Sequence, residues 1–186
     1  MGISVTIPVS FLICKKKDGT SMLVRHRCRG IIISGSLTLG DKKMGNIRIV
    51  TLMDNQNGER KDLAAEHGLS LYIETGYANI LFDFGQGKHT YENAAALNIR
   101  PERVDYGVCS HGHYDHGGGY REFVKNGLSC PLATGKGFFS EKYSLGRTKA
   151  AFLGTGFDAA FLEENKIRHM VCDGLLPLAQ GCWALG

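Results

Sequence analysis

The stretch Tyr106-Gly107-Val108-Cys109-Ser110-His111-Gly112-His113-Tyr114-Asp115-His116-Gly117-Gly118-Gly119 decides how this sequence is read. Residues 106–110 read as a short strand that breaks into three histidines and an aspartate within six residues, followed by three glycines. In an extended loop, His111 and His113 stand two apart and can point to the same side, so two imidazoles can meet one metal ion. Asp115 and His116 follow after a turn. Four bulky groups from one short loop rarely fill a single tetrahedron, so the second pair suits a second ion beside the first. Imidazole and carboxylate together suit Zn, Fe, Mn or Ni, and the absence of a nearby thiolate argues against a purely structural zinc site. Gly117, Gly118 and Gly119 permit a sharp reversal and let a following helix N-terminus approach an anion. The plainer alternative is a set of surface histidines on a flexible loop; the interleaved Asp115, the strand before it and the glycines after it argue against that.

Working outward, residues 47–53 are strand-like and 54–60 form a polar loop carrying Asn57-Gly58. Residues 69–75 and 80–84 are two further strands joined by a hairpin-like return at Gly76, and Gly85-Gln86-Gly87 closes the second. Thr90 can cap a helix over 90–98, which Pro101 stops. After the histidine cluster, 120–126 reads as a short helix and 131–134 as a strand. The last part gives a helix over 159–164, a strand over 168–172 and an apolar stretch over 175–185. Alternating strands and helices predict an α/β (α+β) class with a sheet core.

The 186 residues suffice for one domain with a substantial core. With 43% apolar and 22% charged residues, wholesale disorder, collagen-like repeats and coiled coils are excluded. The net charge of +4 comes without a long basic tract, so no nucleic acid is expected. Twenty-five glycines imply many tight turns and close backbone approaches. Cys14, Cys28, Cys109, Cys130, Cys172 and Cys182 show no knuckle spacing, which excludes a zinc finger and favours reduced thiols in a cytoplasmic protein. The apolar run 5–14 is short, interrupted by Pro8 and followed by Lys15-Lys16-Lys17, the wrong polarity for a signal peptide and too short for a membrane span. Residues 1–6 fit a loose myristoylation pattern of the kind that often arises by chance.

His111-x-His113-x-Asp115-His116 after a short strand resembles the metal-binding signature of the metallo-β-lactamase superfamily, whose members are mostly dinuclear metallohydrolases. The resemblance covers residues 44–186. Asp54-Asn55, Glu66-His67-Gly68-Leu69-Ser70, Ile80-Leu81-Phe82-Asp83-Phe84-Gly85-Gln86 and Ser110–Gly119 look like the subgroup of dihydropterin-methyl-(ribofuranosyl)aminobenzene-phosphate synthases. The resemblance implies an αβ/βα sandwich with two divalent ions, zinc first and iron or manganese as alternatives, between the sheet edges. It implies that His111 and His113 hold the first ion and Asp115 and His116 the second, with a bridging water or hydroxide, and that Asp115, as the catalytic residue, orients the hydroxide or accepts a proton. Asp83 matches a position that supports the loop from behind; a turn-forming role before Gly85 is the alternative.

The superfamily completes its site with ligands from the second half of the fold, and this sequence is expected to be incomplete there. His169, the one histidine after His116, reads as a core or edge-strand residue. Residues 1–43 match nothing in the family and read as an N-terminal extension ahead of a partial domain over 44–186. Half a sandwich would expose apolar surface and favour self-association. Glu66-His67 could reach the site edge or form a surface pair, whereas His26 and His89 lack partners at ligand spacing. Phe138-Phe139 reads as core rather than a substrate platform, and Gly154-Thr155-Gly156 lacks the Lys of a phosphate loop. The expected function is a metal-dependent hydrolase acting on a phosphorylated or pterin-like small molecule. The alternatives are a pterin-pathway synthase, a non-catalytic remnant with weak or no metal, and a di-iron redox protein.

Overall fold

A computed structural model describes residues 11–15, 21–27, 30–35, 47–56, 58–145 and 149–186. Its centre is a six-stranded sheet in the order β11-β8-β7-β6-β5-β4. Strands β4 (Arg48–Met53), β5 (Ser70–Glu74) and β6 (Asn79–Phe82) form an antiparallel meander, with Ile49 opposite Ile73 and Ile73 opposite Ile80. From β6 onward the sheet is parallel. Helix α1 (Lys88–Ala96) leads to β7 (Tyr106–Cys109), and α2 (Tyr114–Gly117) and α3 (Tyr120–Lys125) lead to β8 (Leu132–Gly135). A hairpin of β9 (Tyr143–Leu145) and β10 (Ala150–Phe152) and helix α4 (Ala159–Glu164) then lead to the edge strand β11 (His169–Cys172). A five-stranded sheet, in the order β12-β13-β1-β2-β3, joins β1 (Phe11–Lys15), β2 (Ser21–Arg27) and β3 (Gly30–Gly35) to the hairpin of β12 (Leu175–Ala179) and β13 (Cys182–Leu185).

The alternation of side chains along the central strands builds two cores. Leu71, Ile73, Ile80, Phe82, Val108 and Ala133 point to one face and pack on Cys182 and Ala184 of β13. Tyr72, Leu81, Cys109 and Leu132 point to the other, against Ala94 of α1, Tyr120 and Phe123 of α3 and Leu162 of α4. Ile73, Ile80, Leu81 and Phe82 are completely buried, and each such side chain contributes about 1.5–3 kcal/mol. The chain is thus a mixed α/β sandwich, as its sequence predicts; among the described residues, the helices cover the outer face of the six-stranded sheet.

Several local expectations are corrected. Helix α1 starts at Lys88 with Gly87 at its N-cap, and Thr90 lies buried inside its first turn instead of capping it. Thr90 faces the Gly85-Gln86-Gly87 turn so closely that a Cβ at Gly85 would collide with its hydroxyl. Asp115 and His116 sit on helix α2, not on an open loop, and the β9–β10 hairpin lies where no element was expected. The apolar stretch over 175–185 is two strands rather than one. Residues 1–6 and the boundary near residue 43 lie outside the described residues.

Cys109, Cys130 and Cys172 are free thiols. Among the described residues, no helix is long and apolar enough to cross a membrane. Tyr143, Leu145 and Phe152 place exposed apolar surface on the β9–β10 hairpin.

Candidate metal centre

The site begins at Asp83, which follows β6 in a left-handed conformation (φ 57°), a region Asp tolerates better than most residues, and is fully buried. Its Oδ1 accepts the Ser110 backbone N–H at 2.7 Å, and its Oδ2 accepts the Ser110 hydroxyl at 2.8 Å and His116 Nδ1 at 2.7 Å. Ser110 Oγ in turn lies 2.9 Å from His111 Nδ1. One carboxylate therefore orients two imidazoles, His116 directly and His111 through Ser110. With both Nδ1 atoms protonated toward these acceptors, the Nε2 lone pairs of His111 and His116 turn to the opposite side, the tautomer a metal ligand requires.

On that side His111 Nε2 lies 3.1 Å from His113 Nδ1, and His116 Nε2 lies 3.5 Å from Asp115 Oδ2. Two nitrogens bound at about 2.0–2.1 Å to a tetrahedral ion are about 3.3 Å apart, so both pairs have the span an ion needs. Donor atoms of His111, His113 and Asp115 all lie within 4.8 Å of one another. The His111 ring sits 4.6 Å from that of His113 and 4.2 Å from that of His116. His111, His113 and Asp115 thus converge, with His116 beside Asp115 and His111, and this donor set fits divalent ions.

The electrostatics pull the groups of the cluster in different directions. Burial alone would push the Asp83 carboxyl up, but His116, the Ser110 N–H and His111 outweigh it and hold it below the usual carboxylate range. Burial would lower His116, but Asp83 raises it overall. Burial lowers His113, as do Lys142 and His116, against a raising effect of Asp115. The result keeps His113 neutral, the form that ligates metal. Cys109 lies beneath the loop, its Sγ 3.5 Å from the His111 carbonyl. Burial, together with Asp83, drives its thiol well above the ordinary value, so its proximity supplies no thiolate.

Backbone contacts fix the loop. Phe84 N donates to the His116 carbonyl at 2.6 Å and Tyr114 N to that of Leu153 at 2.9 Å. Gly118 and Gly119 are in the right-handed helical region, so they make no reversal. Their value is closeness: a Cβ on Gly118 would collide with the Gln86 carbonyl, and one on Gly119 with that of Phe84. Their N–H groups donate to the carbonyls of Tyr114 and Gly85, so they bind the fold rather than an anion.

Sequence reasoning missed Ser110 and the Glu66–His89 pairing, and left Glu66-His67 open between the site edge and a surface pair. Ser110 was legible only as a strand end. His67 Nε2 reaches Asp115 Oδ2 at 3.3 Å, so the Glu66-His67 pair divides: His67 goes to the site edge, while Glu66 pairs with His89 Nδ1. Neither partnership is visible in sequence spacing. His169 lies on β11 with Nε2 2.8 Å from Thr134 Oγ1. Phe138 is buried against Phe139 and Phe157. Thr155 Oγ1 closes a local turn by donating to the Phe157 carbonyl at 2.9 Å.

Part of this chain is similar to known proteins. The model of the metallo-β-lactamase superfamily matches residues 64–134. An uncharacterized protein of Methanocaldococcus jannaschii is 38% identical over 97 residues, 52% of this chain and 37% of its own length. The 7,8-dihydropterin-6-methyl-4-(beta-D-ribofuranosyl)-aminobenzene-5'-phosphate synthase of the same organism is 37% identical over 88 residues, 45% of this chain and 30% of its own. The chain thus matches about a third of the length of these curated relatives. Among solved structures, a metallo-β-lactamase from Cronobacter sakazakii is 23% identical with a TM-score of 0.36, covering 41% of this chain and 30% of its own. A subclass B3 metallo-β-lactamase from a soil metagenome library is 14% identical with a TM-score of 0.43, covering 73% of this chain and 47% of its own. Residues 64–134, which contain Asp83 and the whole cluster from His111 to His116, are the part of this chain that is similar to the metallo-β-lactamase superfamily.

Proposed function

We propose that this chain is a metal-dependent hydrolase that holds two divalent ions, zinc in the first place and iron or manganese otherwise, and acts on a phosphorylated or pterin-like small molecule. The observation that carries the reading is the pairing of donor atoms, His111 Nε2 with His113 Nδ1 and Asp115 Oδ2 with His116 Nε2, above a buried carboxylate that sets two of the imidazole tautomers. His111 and His113 would hold one ion, and Asp115 and His116 the other. Bound there, the ions would lower the pKa of water to make a nucleophile at neutral pH and stabilise the oxyanion formed on attack. The protein's own part is orientation: Asp83 and Ser110 lock the imidazoles, and the half-buried Asp115 carboxylate aligns the attacking water. The substrate class is supported by the pterin and phosphate in the name of the 37% identical relative. Free thiols support a cytoplasmic setting.

That relative's name favours a second reading, a synthase that transfers a group instead of hydrolysing a bond. Metal content per chain, measured by elemental analysis on protein without a histidine tag and beside a His116→Ala control, tests both. About two tightly held ions, one of them lost in the control, is the expected result. Assays on phosphoester and pterin substrates then separate released phosphate from a transferred group. Near-zero metal in both proteins would refute the reading and leave a non-catalytic fold; coloured iron would indicate the redox alternative.

A further inference from the structure

The proposed ligand set, on which this inference rests, is uneven: Asp115 and His116 offer one oxygen and one nitrogen, and zinc sites of this chemistry draw on at least three protein ligands. His67 stands beside them. Its Nε2 lies 3.3 Å from Asp115 Oδ2, matching the 3.5 Å between that oxygen and His116 Nε2, so a single carboxylate oxygen faces two imidazole nitrogens. His67 comes from the loop before β5, more than forty residues upstream of the cluster, and four separate contacts hold that loop in place. Leu69 N donates to the Asp115 carbonyl at 3.3 Å, and Gly68 N donates to Asn55 Oδ1 at 2.9 Å. Glu66 N lies 3.2 Å from Met53 Sδ, and the Glu66 carboxylate pairs with His89. Gly68 itself has φ 138° and sits so near Asp115 that a Cβ would collide with its carbonyl. The backbone on both sides of His67 is thus tied down while its imidazole is 64% exposed and able to turn toward an ion.

We infer that His67 is a ligand of the ion held by Asp115 and His116, supplying an imidazole from outside the histidine cluster. A simple surface ion pair is the competing explanation for the 3.3 Å contact, and exposed pairs of that kind contribute about 0–1 kcal/mol. The two explanations differ in what happens when zinc is bound: a ligand stays on the metal, whereas an ion-pair partner does not.

The test is zinc binding by the whole chain and by His67→Ala, followed by chelator competition and by X-ray absorption at the zinc edge. With His67 as ligand, four imidazoles share two ions, so the signal averages about two imidazoles per zinc and falls to about 1.5 in His67→Ala. The weaker zinc of the variant is expected to be held at least about tenfold less tightly. An unchanged imidazole count in a variant that still binds two zinc ions would overturn the role of His67 and leave the metal centre intact. A wild-type chain that takes up no zinc would overturn both.

Discussion

Replacing Asp83 with Asn isolates the orienting role of the buried carboxylate. Asn tolerates the left-handed backbone at this position as well as Asp does, so the turn itself survives. Asn Oδ1 can still accept the Ser110 N–H, now made at 2.7 Å. The other arm becomes an amide that only donates, and it faces Ser110 Oγ and His116 Nδ1, which sit 2.8 and 2.7 Å from the present oxygen. His116 must then accept at Nδ1 and carry its proton on Nε2, where the ion would bind. Losing an orienting partner of a metal-bound imidazole lowers affinity about 10- to 100-fold, or about 1.4–2.7 kcal/mol. Removing one member of the buried Asp83–His116 pair costs the metal-free protein about 3 kcal/mol besides. Chelator competition reads the first effect, and urea denaturation in excess chelator reads the second. A variant with wild-type zinc affinity would refute the argument that Asp83 sets the His116 tautomer, whatever its stability.

Gly119→Ala puts a methyl group into the Phe84 carbonyl, backbone against backbone, and should destabilise the fold by about 1–3 kcal/mol in urea titrations. Asp158 caps helix α4 by accepting the Phe161 N–H at 2.9 Å, so Asp158→Ala should cost about 1 kcal/mol while leaving zinc stoichiometry unchanged. Burial pushes the Cys130 thiol up to about 12, so at pH 8 it should alkylate far more slowly than a free thiol; labelling at the rate of a small-molecule thiol would contradict that burial.

The parts of the fold that the sequence reveals are those whose pattern is local. The alternation through Ile73, Ile80 and Phe82 marks the central strands, and Asp158 followed by Ala159–Glu164 marks the last helix. Helix α2 escaped notice because it lies between histidines and three glycines, a composition that suggests an open loop. There the glycines serve close packing, a tertiary demand that composition does not distinguish from flexibility. Thr90 satisfied the capping rule and still lies inside its helix, so close to Gly85 that a Cβ there would collide with its hydroxyl. At the site, the cluster from His111 to His116 is legible from spacing alone. The partners of His67 and Glu66 are not, since the chain folds them into place across 23 to 48 residues.

Asp83 reaches His116 directly and His111 through Ser110, so it acts as a single fulcrum under these two imidazoles. In the proposed two-ion centre, a substitution at that depth made to tune one position would be felt at the other. The adjustable parts lie at the rim, where His113 and His67 are not tied to that carboxylate. If the proposed centre binds metal, its ion preference is best varied at those two residues, with the fulcrum left untouched.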